Sequence, residues 1–497
     1  MGLAVERSTP ALGRPTPAPS LPPPRRAIHG LTVPRPLDRD AMPDPQIISL
    51  GCRLNIAESE AIRALVGGRD LVVVNSCAVT NGAVAETRKA IRRARAERPS
   101  AQLVVTGCAA QIDPASFAAM PEVDRVLGNA EKLTAQAWAA PDPVIVGDIL
   151  RVRETAPHLA PAFAAHARAF VEVQNGCDHR CTFCVIPYGR GNSRSVPAGA
   201  VIDRIAALVD AGHREIVLTG VDLTSYGPDL PGAPSLGQLV ERILRHVPAL
   251  ERLRLSSLDG VEIDDRLFAL LTQHPRVMPH VHLSLQAGND LILKRMKRRH
   301  VRAQSVALVE RLKAARGDIT IGADLIAGFP TEDDAMFADT LALIDECDVV
   351  HAHIFPYSER DGTPAARMPA VPVPVRKARA ALLRAAGARR KAVWLRGLIG
   401  TTQDVLVERP GDRGHTPGFA EVRFDTRAVG VVQTVRIIDT NGSTLRAIPL
   451  PASPAQAGAQ SWNGRGEVQP SPPSAISPGP RPSPGKENPL QLQEIIA

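Results

Sequence analysis

The residues with the most evident chemistry are cysteines. Cys177, Cys181 and Cys184 form a C-x₃-C-x₂-C loop (CDHRCTFC) directly behind the apolar run AFVEVQNG. Three thiolates packed into one loop at a strand's end can bind three irons of a four-iron cubane. The fourth iron then keeps an open position, where it can chelate a small molecule and pass it an electron. A zinc site competes with this reading, as do plain buried thiols. Zinc loops usually space a pair as C-x₂₋₄-C and draw four ligands from two such pairs. Here one triplet stands alone, with His179 as the other soft ligand beside it. Three further cysteines, Cys52 (SLGCRLN), Cys77 (VVVNSCAVT) and Cys108 (VVTGCAAQ), each follow an apolar run. Strand ends of a parallel sheet converge on one edge, so these three could meet in space although far apart in sequence. Cys347, in ALIDECDVV, has no cysteine nearby and reads as structural.

The elements that must position these residues are legible as alternating patterns. QIISL, LVVVNS, QLVVTG and PVIVG are β-like runs separated by helical segments such as AVAETRKAIRRARAE. Such alternation predicts an open α/β domain with a parallel sheet over residues 45–150. A second series, AFVEVQ, EIVLTG, RLRLSS, HVHLSLQ, TIGADLIAG and VVHAHIFPY, predicts a partial or full β/α barrel over 163–396. A basic helix from Arg376 to Arg396 closes it. Short alternating strands then predict a small β-barrel over 397–451. The fold class is therefore α/β with an all-β module behind it. Residues 1–44 and 452–497 are rich in Pro, Ser and Gly and are expected to be disordered tails. Met42 stands just before the first ordered-looking run and is the expected translation start. Neither a signal-peptide run nor a membrane span is visible in the 497 residues, so a cytoplasmic protein with reduced thiols is expected. Lys+Arg exceeds Asp+Glu by 59 to 51, a balance compatible with a nucleic-acid partner but not diagnostic of one.

The C-x₃-C-x₂-C loop, with the aromatic Phe183 before its last cysteine and a first barrel strand before it, resembles the radical S-adenosylmethionine (SAM) superfamily. That resemblance implies a [4Fe-4S] cluster on Cys177, Cys181 and Cys184. Its open iron would bind the amino and carboxylate groups of SAM, and electron transfer would cleave SAM to a 5′-deoxyadenosyl radical. The region around Cys52, Cys77 and Cys108 resembles the N-terminal domain of the methylthiotransferases. This implies a second [4Fe-4S] cluster, whose open iron carries the sulfur to be inserted. GHTPGFAEVRF looks like part of a TRAM module, a small RNA-gripping barrel, although RAVGVVQTVRI lacks the acidic residue usual in the turn before the last strand. The resemblance spans roughly residues 46–450. It places Phe183, Gly220 and Asp222 at the cofactor, with the SAM amino group near Gly220 and Asp222. Ser257, Gln286 and Asp324 are read at the ends of later strands, as cofactor or substrate contacts or as simple rim and cap residues.

The implied reaction replaces an aromatic C–H by C–S–CH₃, which ordinary acid–base chemistry cannot do and a carbon radical can. NSCAVT, LTGVDLTSYG, RLRLSSLD and FPYSERDGTPAARMP look most like the branch acting on N6-threonylcarbamoyladenosine 37 of tRNA. The alternatives are the branch for isopentenyladenosine 37 and the branch for an aspartate of a small-subunit ribosomal protein. An iron–sulfur protein that binds without catalysis is the competing class. The implied partners are a tRNA anticodon stem-loop and an electron donor such as flavodoxin or ferredoxin. Three basic clusters could neutralise tRNA phosphates: Arg88 to Arg98, Lys294 to Arg299 and Arg376 to Arg396. Aromatics are 3% of the chain, and Phe419 and Phe424 are the candidates for base stacking.

Overall fold

The computed structural model describes residues 44–153, 167–409, 412–425 and 429–451. The expected tails and the start of the barrel segment at 163 lie outside these residues.

The first five strands are all parallel and lie in sequence order: β1 (Gln46–Ser49), β2 (Leu71–Ser76), β3 (Gln102–Gly107), β4 (Arg125–Leu127) and β5 (Val144–Ile145). Between them run α1 (Arg53–Val66), α2 (Asn81–Glu97), α3 (Cys108–Ile112), α4 (Pro114–Ala118) and α5 (Ala135–Ala139). The central strands read LVVVNS and QLVVTG because both faces of the sheet are covered. Every residue of β2 is buried, as expected of a strand sandwiched between helices. The RVL strand β4 escaped the sequence reading, being only three residues long.

The next segment is a second parallel series. It comprises β6 (Arg168–Asn175), α6 (Ile186–Arg190), β7 (Arg194–Ser195), α7 (Ala198–Asp210), β8 (Glu215–Gly220), α8 (Leu236–His246), β9 (Arg252–Leu255) and α9 (Asp265–Gln273). It continues through β10 (His280–Gln286), α10 (Asp290–Arg295), α11 (Arg302–Ala315), β11 (Thr320–Ala327), α12 (Asp334–Glu346) and β12 (Val349–Pro356). The ladders are β6-β8-β9 and β10-β11-β12, joined by the bridges Leu253↔Val277 and Leu258↔Leu283. β7 caps the β6 edge antiparallel. Six parallel strands thus form an arc, and among the described residues β12 makes no pairing with β6, so the barrel is partial. Helix α1 packs against β6 and β8, with Ile56 and Ala57 in the barrel's own apolar core. The first sheet is thereby tied to the barrel by a shared helix.

Helix α13 (Val373–Gly397) leads to a closed barrel of β13 (Thr402–Arg409), β14 (Arg413–His415), β15 (Glu421–Arg423), β16 (Val432–Thr440) and β17 (Leu445–Pro449), in the order β13-β14-β15-β17-β16. Val405, Val407, Val422, Val435 and Ile437 fill it. Phe424 belongs to this core and is buried. Phe419 is wedged beneath the β/α barrel, stacked on His415 at 4.6 Å with the guanidinium groups of Arg168 and Arg254 at 5.1 and 4.8 Å. Neither ring is free to stack on a base, which corrects that expectation. Residues 417–419 close the base of the arc through backbone groups. Pro417 and Gly418 carbonyls accept from Arg254 Nη1 at 3.0 Å and Thr320 Oγ1 at 2.9 Å.

Candidate active site

Cys52, Cys77 and Cys108 stand behind β1, β2 and β3, three adjacent strands, and therefore share one sheet edge. Two glycines make the approach possible. Gly51 has φ +96°, and a Cβ there would lie 2.7 Å from Cys77 Cβ. Gly107 has φ +93°, and its Cβ would strike the Ser76 backbone at 2.4 Å. Any side chain at either position would push the strand ends apart.

The second triplet lies in the loop after β6. Cys177 donates to Asp222 Oδ2 at 3.5 Å, Cys181 accepts from Arg298 Nη1 at 3.7 Å, and the Ile186 N–H points at Cys184 Sγ at 3.4 Å. The short helix α6, immediately after Cys184, joins the two triplets. A Cβ on Gly189 would come within 3.2 Å of Cys108 Cβ, and Arg190 Nε donates to Cys108 Sγ at 3.1 Å. Arg190 is in turn fixed by Glu58 and Asn55 of α1, and Lys132 Nζ completes the pocket at 2.7 Å from Glu58 Oε2. Glu58 and Lys132 have no exposed surface. Burial alone would raise the Glu58 carboxyl, but the charges of Arg190 and Lys132 hold it down to about 2.

The donor chemistry bears on what the triplets hold. Among the described residues, the groups of three ligands whose atoms all lie within 4.8 Å of one another are His282, Asp324, His353 and His179, Asp222, Glu262; neither cysteine triplet is among these close-set groups. A tetrahedral zinc ion at about 2.3 Å per sulfur needs its thiolates closer together than that; a cubane spans more. Burial pushes the thiols of Cys52, Cys77 and Cys177 up and that of Cys184 up to about 12. A nucleophilic cysteine would be shifted the other way, whereas a metal ligand is deprotonated by the metal itself. The triplets therefore fit clusters better than single ions or nucleophiles.

The remaining candidates divide. Phe183 packs into an apolar cluster against Phe329, edge to face at 6.4 Å. Gly220 ends β8, and Gln174 Oε1 beside it accepts from the Asp222 N–H at 2.8 Å. Asp222 accepts from Ser225 at 3.0 Å and lies 2.9 Å from His179 Nε2. Burial would raise its carboxyl, yet hydrogen bonds from His179, Ser225 and Cys177 hold it below the ordinary value. Gln286 ends β10 at φ +67°, a left-handed conformation uncommon for a non-glycine residue. Ser257 follows β9 and is exposed. Asp324 does not lie at a strand end as expected: it is the fifth residue of β11, opposite His353 of β12. It faces the lumen with His282, at 3.1 Å, and His353, at 3.3 Å. The two histidines were missed, although HVHLSL and HAHIF carried the signal: alternate residues of a strand share a face. Cys347 caps α12 and is fully buried, as expected of a structural thiol.

The basic clusters are largely committed inside the protein. Arg95 chelates the Glu122 carbonyl and Asp124, Arg98 pairs with Asp70, and Arg88 covers Phe117. Arg379 pairs with Glu332 and Asp334, and Arg298 with Asp259. Arg93, Lys294, Lys297, Lys377, Arg384, Arg389 and Arg396 remain exposed.

A partial parallel barrel with a three-cysteine loop at the C-terminal end of its first strand defines the class, and the radical SAM superfamily model matches residues 171–344. Radical SAM proteins work with SAM and a [4Fe-4S] cluster. The model of uncharacterized protein family UPF0004 matches residues 45–128. The chain is 46% identical over 408 residues to the threonylcarbamoyladenosine tRNA methylthiotransferase MtaB of Rickettsia prowazekii, covering 81% of this chain and 97% of that protein. It is 36% identical to the MtaB of Bacillus subtilis, covering 64% of this chain and 74% of that one. It is 33% identical to the tRNA-2-methylthio-N(6)-dimethylallyladenosine synthase of Erythrobacter litoralis, covering 80% and 96%. The chain belongs to the radical SAM methylthiotransferase family that these relatives define, and it is an enzyme of that class. Among the described residues no helix is long and apolar enough to cross a membrane.

Proposed function

We propose that the protein methylthiolates C2 of N6-threonylcarbamoyladenosine 37 in tRNA, with one cluster on Cys177, Cys181 and Cys184 and a second on Cys52, Cys77 and Cys108. The observation that carries the two-cluster reading is α6. One six-residue step from Cys184 to Arg190 reaches from one triplet to a sulfur of the other. When bound, the first cluster supplies the electron that cleaves SAM, and the second supplies the sulfur that is inserted.

The chain's own residues set the geometry for this. With its backbone N–H held by Gln174 and its carboxylate by His179 and Ser225, Asp222 would accept hydrogen bonds from the SAM amino group. Phe183 and Phe329 keep water from that side of the loop. Arg190 orients Cys108 and neutralises charge beside it. The open side of the arc, flanked by α1, leaves the lumen for the target base. The closed five-stranded barrel acts as the TRAM-like RNA grip, together with the exposed cations of α2, α10 and α13.

The threonylcarbamoyl assignment is supported by the 46% identity to the Rickettsia protein over nearly its whole length. Nucleoside analysis of tRNA from a strain lacking the gene tests it. Loss of the 2-methylthio mark from threonylcarbamoyladenosine is expected; its persistence would overturn the assignment. Loss from isopentenyladenosine instead would move the protein to the branch represented by the Erythrobacter relative.

A further inference from the structure

The lumen contains a polar group that belongs to neither cysteine triplet. His282 and His353 both face Asp324 Oδ1, at 3.1 and 3.3 Å, with their rings 4.6 Å apart. The His282 side chain is 7% exposed, and its Nε2 is buried without a hydrogen bond of acceptable angle. His353, by contrast, is 57% exposed toward the opening. Below them the lumen is floored by Phe419, with His280 at 5.2 Å and the guanidinium of Arg53 at 5.6 Å from its ring. Arg53 is the first residue of α1, directly after Cys52. Among the described residues its guanidinium makes no direct ion pair, although the charges of Glu215 and Asp324 act on it. Arg53 is half-buried, and Glu215 and Asp324 are already engaged by Arg168, Arg252 and Arg254 and by His282 and His353, so a ligand carboxylate beside its guanidinium is favoured. The three ligand atoms around Asp324 lie within 4.8 Å of one another, close enough for a metal ion. The neighbouring guanidinium argues against a dication and for an anion.

We infer that this recess of Arg53, His282, Asp324 and His353 reads the N6 substituent of the target adenosine. The inference rests on the threonylcarbamoyl reading above and deepens it. C2 and the N6-bearing carbon flank N1 of the purine, so their substituents point away from each other. With C2 turned toward the cysteine triplets at the strand ends, the N6 group is led down into the lumen. A threonylcarbamoyl group brings a carboxylate, which pairs with Arg53. It also brings ureido N–H and hydroxyl donors, for which Asp324 is the acceptor, while His282 and His353 orient that carboxylate. An isopentenyl group would bring Arg53 no carboxylate and Asp324 no donor beyond His282 and His353, so the polar recess would be desolvated without return and would disfavour the apolar analogue.

Synthetic anticodon stem-loops carrying adenosine, isopentenyladenosine or threonylcarbamoyladenosine at position 37 test this by binding to the anaerobically reconstituted full-length protein. The wild-type protein is expected to prefer the threonylcarbamoyl loop over the isopentenyl loop by about tenfold or more. Arg53→Met and Asp324→Asn are expected to bring the two within a factor of about three. Iron and sulfide counts on the same samples show that each variant has folded and loaded. His353→Gln, at an exposed position that packing does not depend on, is expected to lower the preference as well. If all three variants keep the full wild-type preference, the recess is not the reader and the inference falls, while the substrate assignment stands. If the wild-type protein has no preference for the threonylcarbamoyl loop, the substrate assignment itself fails, and the inference with it.

Discussion

Replacing Glu58 by Gln should unsettle the join between the two cysteine triplets more than any surface change. Glu58 is the one anion set between two buried cations, Arg190 at its Oε1 and Lys132 at 2.7 Å from its Oε2. Gln preserves the shape and removes the charge, leaving Lys132 with the amide oxygens of Asn75 and Asn129 and Arg190 with Asn55 and Cys108 in place of a carboxylate. Breaking a buried ion pair in this way costs about 3–5 kcal/mol. Linkage gives the same scale. A carboxyl held at about 2 rather than its ordinary 4.5 contributes about 3 kcal/mol at neutral pH. Because the folded value lies below the unfolded one, that contribution is complete above about pH 4.5 and is lost as the pH falls toward 2. Trp138 is a built-in reporter: it is buried in the same domain, and its Nε1 donates to the Lys132 carbonyl at 2.8 Å. Urea unfolding followed by its fluorescence, with Trp394 and Trp462 replaced by Phe, should show the Glu58→Gln midpoint falling by about 2 M for a slope of about 2 kcal/mol per M. The acid arm of the stability curve between pH 4.5 and 2 should flatten in the variant. A midpoint change below about 0.5 M would mean that the cluster is worth no more than a surface pair and would refute the reasoning.

Cys177→Ala should abolish reductive cleavage of SAM, whereas Cys77→Ala should keep cleavage and lose methylthiolation. Equal loss in both would show that the division of labour is wrong. Elemental analysis of the reconstituted protein should give about eight irons and eight sulfides per chain, falling to about four in variants lacking either site. Arg190→Gln removes a charge-assisted donor to Cys108, so redox titration followed by electron paramagnetic resonance should show one cluster's midpoint lowered by about 60 mV. A change in neither midpoint would separate Arg190 from the cluster. Phe419 holds φ +71° beneath the barrel. Phe419→Gly should therefore unfold at higher urea than Phe419→Ala by about 1 kcal/mol, with Trp394 as reporter; the reverse order would deny the backbone strain.

Part of the protein was written in short stretches of sequence. C-x₃-C-x₂-C, three cysteines behind three apolar runs, and two series of alternating strands and helices are local patterns, because the periods of strands and helices are set by the backbone itself. They were enough for the class of cofactor, the parallel sheets and the small barrel. Spacing could not show that Asp324 lies in the middle of its strand, since three-residue ambiguities at strand ends decide whether a side chain meets the rim or the lumen. Nor could it show that Phe419 is wedged under the barrel, or that Arg88, Arg95, Arg298 and Arg379 are spent on internal partners. A charge run reads alike whether its partners are carboxylates of the same chain or phosphates of another molecule. Those partners lie 29 to 47 residues away along the chain. The same holds for α6 and for the group formed by Glu58, Lys132 and Arg190, which come from three separate segments. The cysteines declared what could be bound, and the packing of α1 and α6 between sheet and barrel decided that the helix behind Cys184 lies against Cys108.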